Sequence, residues 1–317
     1  MDYQKYLVLG GRGFLGSHIT EALLARGYDV RILDRPAPVG AKFPGAPTSG
    51  RLEVVEGDFT NPTDIRSAVE GCDVCIHAVT TTLPKTSNDN IEFDILTNLV
   101  GTVKLLENAS KSGMKRMVFL SSGGTIYGAP RTYDIAETHP TEPISSYGIT
   151  KLAIEKYLQL FESLSGLQFI SLRISNPYGP RQRIDGAQGA VAVFLGAALQ
   201  GKPISIWGTG SIVRDYVHVC DVVHAVQAAL VYEGEHRIFN IGSGRGHSLL
   251  DVVSAVEGAT GIQLQKEFLP SRVFDVQRNV LDITRAGREL GWTPKVSFED
   301  GIRDMALWLA DELRFRR

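Results

Sequence analysis

Tyr6-Leu7-Val8-Leu9-Gly10-Gly11-Arg12-Gly13-Phe14-Leu15-Gly16 decides the fold. The unbroken apolar run from Tyr6 to Leu9 is what a parallel strand covered on both faces requires. Glycines at 10, 13 and 16 follow with the spacing G-x-x-G-x-x-G, and Ile19 to Arg26 reads as an amphipathic helix stopped by Gly27. Side chains are missing where backbone N–H groups and a helix N-terminus have to approach a pyrophosphate. Glycines alone also fit a tight turn without a ligand; the flanking strand and helix favour the dinucleotide reading. A second strand, Val30 to Leu33, ends at Asp34, 18 residues past Gly16. A carboxylate there grips ribose hydroxyls and repels a 2′-phosphate, so NAD is expected over NADP, with the adjoining Arg35 as a contrary sign.

Strands and helices go on alternating. Residues 36–50 are rich in Pro, Gly and Ala and read as a loop. Leu52 to Asp58 is a third strand ending in an acid, Asp64 to Val69 a short helix, and Val74 to Val79 a fourth strand with Thr80-Thr81-Thr82 as its loop. Asn90 to Ser110 is a long helix, Met117 to Ser122 a fifth strand and Phe169 to Arg173 a sixth. This alternation predicts an α/β fold with a doubly wound parallel sheet, whose ligands bind at the C-terminal strand ends. The period loosens after about residue 180. A smaller, mainly helical C-terminal lobe is expected, covering the strand ends and forming a cleft. The predicted division is 1–176, with 213–241 returning to it, against 177–212 and 242–317.

Composition narrows the classes. The chain has 317 residues, 43% hydrophobic and 21% charged, with a formal charge of -2, so nothing asks for nucleic acid. No apolar run approaches the ~20 residues of a membrane span, and the N-terminus runs into a strand without a signal-peptide pattern. Three cysteines, Cys72, Cys75 and Cys220, make no disulfide framework and fit a cytoplasmic protein. Cys72 and Cys75 have C-x-x-C spacing but open a buried strand, and no metal site is read from them. His77 reads as a satisfied strand-end histidine.

Tyr147-Gly148-Ile149-Thr150-Lys151 carries the candidate chemistry. On a helix from about Ser146 to Leu164, Tyr147 and Lys151 share one face. A cation beside a partly buried phenol favours the phenolate and is expected to lower its pKa, so that Tyr147 can take a proton from an alcohol. The bland alternative is a chance pair on a solvated face.

These motifs, with Asp34, Asp58, Asn98, Ser121-Ser122, Tyr127-Gly128, Asn176-Pro177-Tyr178-Gly179 and Arg214-Asp215-Tyr216-Val217-His218-Val219 in this order, resemble the extended short-chain dehydrogenases/reductases. Within that group the chain looks most like the NAD-dependent sugar-nucleotide epimerases of the UDP-glucose 4-epimerase type. The resemblance implies a Rossmann domain, tightly held NAD and a UDP-sugar in the cleft. By the same resemblance, Phe14 and Leu15 contact the pyrophosphate, Asp34 the ribose, and Asp58 and Phe59 the adenine. Ala78, Val79 and Thr80 pass beneath the dinucleotide. Tyr147 and Lys151 form the catalytic pair, Lys151 also touching the nicotinamide ribose, and Asn98 supports a proton relay. Asn176, Arg214, Arg272 and Asp275 hold the substrate nucleotide; an arginine suits a diphosphate through two parallel charged hydrogen bonds. For Arg214 the competing reading is a salt bridge to Asp215 or a surface charge. A homodimer through the helices near 90–110 and 147–164 is also implied.

The chain departs from the family pattern in two places. Leu9 stands where a threonine usually opens the glycine turn, and Gly123 stands where the family has its catalytic serine. Thr125 is the favoured replacement for that hydroxyl, against Ser122 or a water. The acids that dehydratase and decarboxylase relatives carry in 123–126 are missing, so no group protonates a departing hydroxyl. The expected activity is inversion at C4 of a UDP-sugar, glucose/galactose or the N-acetyl forms, through a transient 4-keto sugar. Alternatives are a net NAD(P)-dependent dehydrogenase or reductase of another alcohol, with no use for Arg214 and Arg272, and a dinucleotide-sensing regulator on the same fold.

Overall fold

The computed structural model describes residues 3–37, 49–185, 189–271 and 276–315. The nucleotide-type half runs β1 (Lys5–Leu9), α1 (Phe14–Ala25), β2 (Asp29–Asp34), β3 (Leu52–Glu56), α2 (Pro62–Val69) and β4 (Val74–His77). Next comes one long helix in three parts: α3 (Ile91–Asp94), a π-helical segment (Ile95–Val100) and α4 (Gly101–Lys111). Then follow β5 (Arg116–Ser122), α5 (Ser146–Ser165), β6 (Gln168–Ile174), β7 (Asn176–Tyr178), α6 (Ala190–Gln200), β8 (Ile204–Trp207), β9 (Val213–His218), α7 (Val219–Val231) and β10 (Ile238–Ile241). The chain closes with β11 (Gly246–Ser248), α8 (Leu249–Thr260), β12 (Lys266–Leu269), β13 (Arg278–Asn279), α9 (Thr284–Glu289) and α10 (Phe298–Phe315).

Seven parallel strands form the large sheet in the order β3-β2-β1-β4-β5-β6-β10. Strand order reverses between β1 and β4, which opens a crevice at their C-terminal ends. The two-residue period of a strand divides β1 between two cores. Tyr6 and Val8 join Ile19 and Leu23 of α1 and Val222 and Val226 of α7. Leu7 and Leu9 face Leu105 and Leu106 of α4 and Ile154 and Leu158 of α5. Sheet and helices therefore form the expected doubly wound sandwich. Cys72 and Cys75 are buried free thiols inside the second core, and burial raises both pKa values, which suits inert packing.

Helix ends follow local rules. Asn61 caps α2 by accepting from the Thr63 amide at 3.0 Å, with Pro62 at the first position. Ser145 caps α5 from the Gly148 amide at 3.2 Å, and Gly166 ends it in the left-handed conformation. Two boundaries differ from expectation. Helix α1 begins at Phe14 rather than Ile19, so the glycine turn runs directly into the first helical turn. The long helix carries its π segment at Thr97 and Asn98, which apolar spacing does not mark.

The C-terminal part packs α6, α8 and α10 into a third core with Val191, Leu195, Val252, Val256, Ile302 and Met305. Helices predominate in it, as expected, and short strands join them. β9 lies at the centre of a small sheet with β7, β11 and β13, and β8 pairs with β12. Apart from the six-residue β9, these strands have two to four residues and are too short to show an alternating pattern. The return to the large sheet is made by α7 and β10, while β9, expected to go with them, pairs in the small sheet. Among the described residues no helix is long and apolar enough to cross a membrane.

Candidate active site

At the crevice, Gly10 turns back with φ +75°, and its amide donates to the Leu33 carbonyl at 2.9 Å. A Cβ on Gly16 would lie 2.0 Å from the Gly10 carbonyl oxygen, and one on Gly13 3.1 Å from it. Glycine is thus required for α1 to start this close to β1. Gly13 occupies the N-cap without a side-chain cap, and no acid sits in the first turn. The leading amides, those of Phe14 and Leu15 among them, are left for an outside acceptor, and the helix dipole favours an anion there. This is a cradle that fits a pyrophosphate.

Asp34 ends β2 beside it. Its two oxygens accept the Arg12 and Arg35 amides, each at 2.8 Å, which fixes the carboxylate at the rim. The Arg12 guanidinium pairs with Glu56 at 3.0 Å. Asp58 accepts the amide and hydroxyl of Thr60 at 2.7 and 2.8 Å, and these bonds hold its carboxyl below the usual range. Phe59 is a core residue: its ring lies 5.2 Å from that of His77, and Gly101 leaves it room. His77 itself is buried, bonded to the Thr102 hydroxyl at 2.9 Å, and held to a pKa of about 3 chiefly by desolvation. That agrees with its structural reading.

The loop after β4 lies against the glycine turn, where a Cβ on Gly10 would meet Val79 Cα at 3.2 Å. After Ala78 and Val79, Asn98 ties the loop down from the π segment. Its Oδ1 accepts from the Thr81 amide at 2.9 Å and the Thr80 hydroxyl at 3.4 Å, and its Nδ2 donates to Thr82 and Asp94. All four hydrogen-bonding positions of this amide are occupied. Asn98 therefore fixes the loop.

Tyr147 and Lys151 stand one turn apart on α5, as predicted. Lys151 is buried; its Nζ donates to the Leu120 carbonyl at 2.9 Å and lies 4.6 Å from the Phe119 ring centroid and 5.6 Å from that of Tyr147. Desolvation lowers its pKa to about 8, with Asp94 and Glu155 acting in the other direction. The phenol departs from the expectation. Burial, and then the charge of Asp94, raise the Tyr147 pKa rather than lower it, so the hydroxyl is protonated at neutral pH in the free protein.

The loop leaving β5 approaches the same point: the Thr125 carbonyl lies 2.9 Å from where a Cβ on Gly148 would be. The Thr125 hydroxyl is buried and has no hydrogen-bond partner. A buried hydroxyl left unmet in this way loses nothing if a bound group or a rotamer change gives it a partner. Gly123 has a steric reason to lack a side chain, because a Cβ would sit 2.5 Å from Leu281 Cδ1 and 2.9 Å from the Arg173 carbonyl oxygen. Beneath lies a rigid buried network. Arg173 donates to Glu155 at 2.7 and 3.1 Å and to the Tyr127 hydroxyl at 2.9 Å, and Ser121 donates to Glu155 at 2.7 Å. Tyr127 in turn donates to Asn240 at 2.6 Å, so the Tyr127-Gly128 motif is structural.

A cavity of about 230 Å³ opens next to this, lined by Asn176, Trp207, Arg214, Tyr216 and Leu249 among others. Asn176 donates to the Asp215 carbonyl at 2.9 Å, and Arg214 to the carbonyls of Val213 and Val276 at 2.9 and 2.6 Å. The Asp215 carboxylate turns away, to the Ser243 amide at 2.7 Å and the Leu281 amide at 3.3 Å, so it is not the partner of Arg214. Asn279 joins cavity and tyrosine site: β13 pairs it with Arg214, and its side chain reaches the Gly123 carbonyl at 3.3 Å. Arg272 and Asp275 lie outside the described residues. Sequence reading missed Trp207 and Asp94. Trp207 carried no motif, and Asp94 sat unremarked in a helix.

Known proteins share this fold. A UDP-glucose 4-epimerase of Mycolicibacterium smegmatis is 38% identical over 301 residues, covering 94% of this chain and 96% of its own. The UDP-glucose 4-epimerase of Thermotoga maritima, solved with UDP-glucose, superposes with a TM-score of 0.90 at 34% identity, covering 98% of this chain and all of its own. That of Thermus thermophilus, solved with NAD, has a TM-score of 0.87 at 35% identity, covering 96% and 98%. The pattern of the NAD dependent epimerase/dehydratase family matches residues 6–242, and the chain belongs to that family.

Proposed function

We propose that the protein inverts C4 of a UDP-sugar through a transient 4-keto sugar, using NAD. The observation that carries this reading is the Tyr147–Lys151 pair one turn apart on α5, in a fold that also offers an uncapped helix N-terminus and a cavity lined by Arg214. Bound with its pyrophosphate on the first turn of α1, NAD supplies a positively charged, reversible hydride acceptor. Phe14 and Leu15 bind through their amides, Gly10, Gly13 and Gly16 allow the approach, and Asp34 takes the ribose hydroxyls. Asp58 and the Phe59 backbone border the adenine, the Phe59 ring being in the core. Ala78, Val79 and Thr80, anchored by Asn98, form the floor.

Once its own proton has passed to solvent, favoured by the positive charges of Lys151 and the cofactor, Tyr147 as phenolate accepts the proton of the sugar 4-hydroxyl and later returns it. The Lys151 ammonium stabilises the phenolate while it exists and reaches the cofactor ribose. Thr125 shares the 4-oxygen with Tyr147, in place of the serine that Gly123 excludes. Arg214 and Asn176, together with Arg272 and Asp275, hold the diphosphate and ribose of the nucleotide, while Trp207 and Tyr216 give the cavity the aromatic walls a base requires. The grip on UDP leaves the keto sugar free to turn and present its other face. A net dehydrogenase of a simple alcohol would not need an arginine held in this cavity.

Residues 1–176 with 219–241 would carry the cofactor, and the rest the substrate. A homodimer is supported by exposed apolar side chains on one stripe of α5, Ile149, Tyr157, Leu160 and Leu164, beside Phe93 and Leu96. Light scattering should give about twice 34.6 kDa, and a monomer would refute it. The three free thiols fit the cytoplasm. To test the activity, UDP-glucose is incubated with the purified protein and the galacto-epimer measured, with Tyr147→Phe beside it. Absence of the epimer, or an unimpaired Tyr147→Phe, rejects the proposal.

A further inference from the structure

Asp94 is fully buried and receives four side-chain donors. Thr82 Oγ1 donates to it from the loop after β4, Asn98 Nδ2 at 3.0 Å from the π segment, and Ser146 Oγ at 2.6 Å and Thr150 Oγ1 at 2.8 Å from α5. An ionised carboxylate, which only accepts, suits four donors. Ser146 and Thr150 flank Tyr147 by one residue and by one turn. Asn98 and Thr82 belong to the floor beneath the cofactor position. One carboxylate therefore joins that floor to the helix that carries the acid–base pair.

We propose that Asp94 is a positioning residue: it sets the tyrosine helix against the cofactor floor, and its charge sets the pH range in which Tyr147 and Lys151 exchange protons. The inference rests on the epimerase reading above. The surrounding charges single out Asp94. From α5, Glu155 also faces Lys151, but Arg173 of β6 neutralises it at 2.7 Å. From β4, His77 is uncharged at neutral pH. From β5, only the Leu120 carbonyl and the Phe119 ring meet the ammonium. Among the described residues Asp94 itself has no salt-bridge partner. Its charge resists ionisation of Tyr147 and keeps the proton on Lys151.

The test uses Asp94→Asn and Thr150→Val in the NAD-loaded enzyme. With Asp94→Asn the negative charge is gone, and both groups release protons more easily. The acidic and the alkaline limbs of the kcat–pH profile should both move to lower pH, by about one pH unit. Thr150→Val keeps the charge but removes a donor that disperses it, so the limbs should move the other way, by less. A purely structural role would lower kcat evenly across pH in both variants, and that result overturns the proposal. If Asp94→Asn does not fold, Thr150→Val decides: stationary limbs refute the inference. A readout independent of turnover comes from ultraviolet difference titration of tyrosinate, each protein against its Tyr147→Phe counterpart. Tyr147 should ionise at lower pH in Asp94→Asn than in the wild type, and equal titrations would refute the role. If the wild type epimerises nothing, the functional reading fails, while the titration still judges Asp94.

Discussion

Placing at position 123 the serine that the family resemblance implies should harm this protein. Gly123 lies at the end of β5, where its amide donates to the Ile174 carbonyl at 2.8 Å, so its backbone is held by the sheet. A Cβ there meets Leu281 Cδ1 at 2.5 Å and the Arg173 carbonyl oxygen at 2.9 Å, where ordinary contacts begin at 3.4 Å. Leu281 would have to retreat by about 0.9 Å, the difference between 3.4 and 2.5 Å. It cannot do so freely, because it is fully packed against Tyr127 and Ile135. The Arg173 carbonyl belongs to a central strand and cannot move either. Overpacking of this kind costs about 1–3 kcal/mol. Leu281→Ala alone should cost about 2–5 kcal/mol through its cavity. Combined, the two should cost less than their sum by about 1 kcal/mol, since the cavity receives the new side chain. The residual contact with Arg173 keeps the relief partial. Denaturant midpoints at constant m report these differences. A neutral Gly123→Ser, or strictly additive costs, would refute the steric account, as would a Gly123→Ser enzyme faster than the wild type.

Thr125→Val should separate stability from catalysis. The hydroxyl has no partner to lose, so stability should stay level or rise by up to about 1 kcal/mol, while kcat should fall by about 10²-fold; a variant with full kcat would show that Thr125 only packs. Lys151 predicts a pH effect of definite sign. Its folded pKa is about 8 against 10.5 ordinarily, so between those values the unfolded chain holds a proton that the folded one has released. Stability from this group therefore rises with pH across that window. Lys151→Met should lack the rise, and parallel stability–pH curves for the two proteins would contradict it.

The sheet could be read from residue order alone. A strand buried on both faces has to be an apolar run, and a helix starting within one turn of it requires glycine, so Tyr6 to Gly16 admits few other folds. Tyr147 and Lys151 were placed on one helix face for the same local reason. What depends on distant partners could not be read. The ionisation of Tyr147 reverses direction because burial and Asp94, more than fifty residues away, outweigh a lysine bonded elsewhere. Asn98 became an anchor once four groups from the loop and helix surrounded it. Arg214 and the Asp215 carboxylate are kept apart because successive strand positions face opposite sides. The glycine at 123 acquires its reason only when Leu281, far along the chain, fills the space a side chain would need. Local geometry is encoded within a turn or two of sequence; charge, burial and steric exclusion are sums over neighbours that only the folded chain assembles.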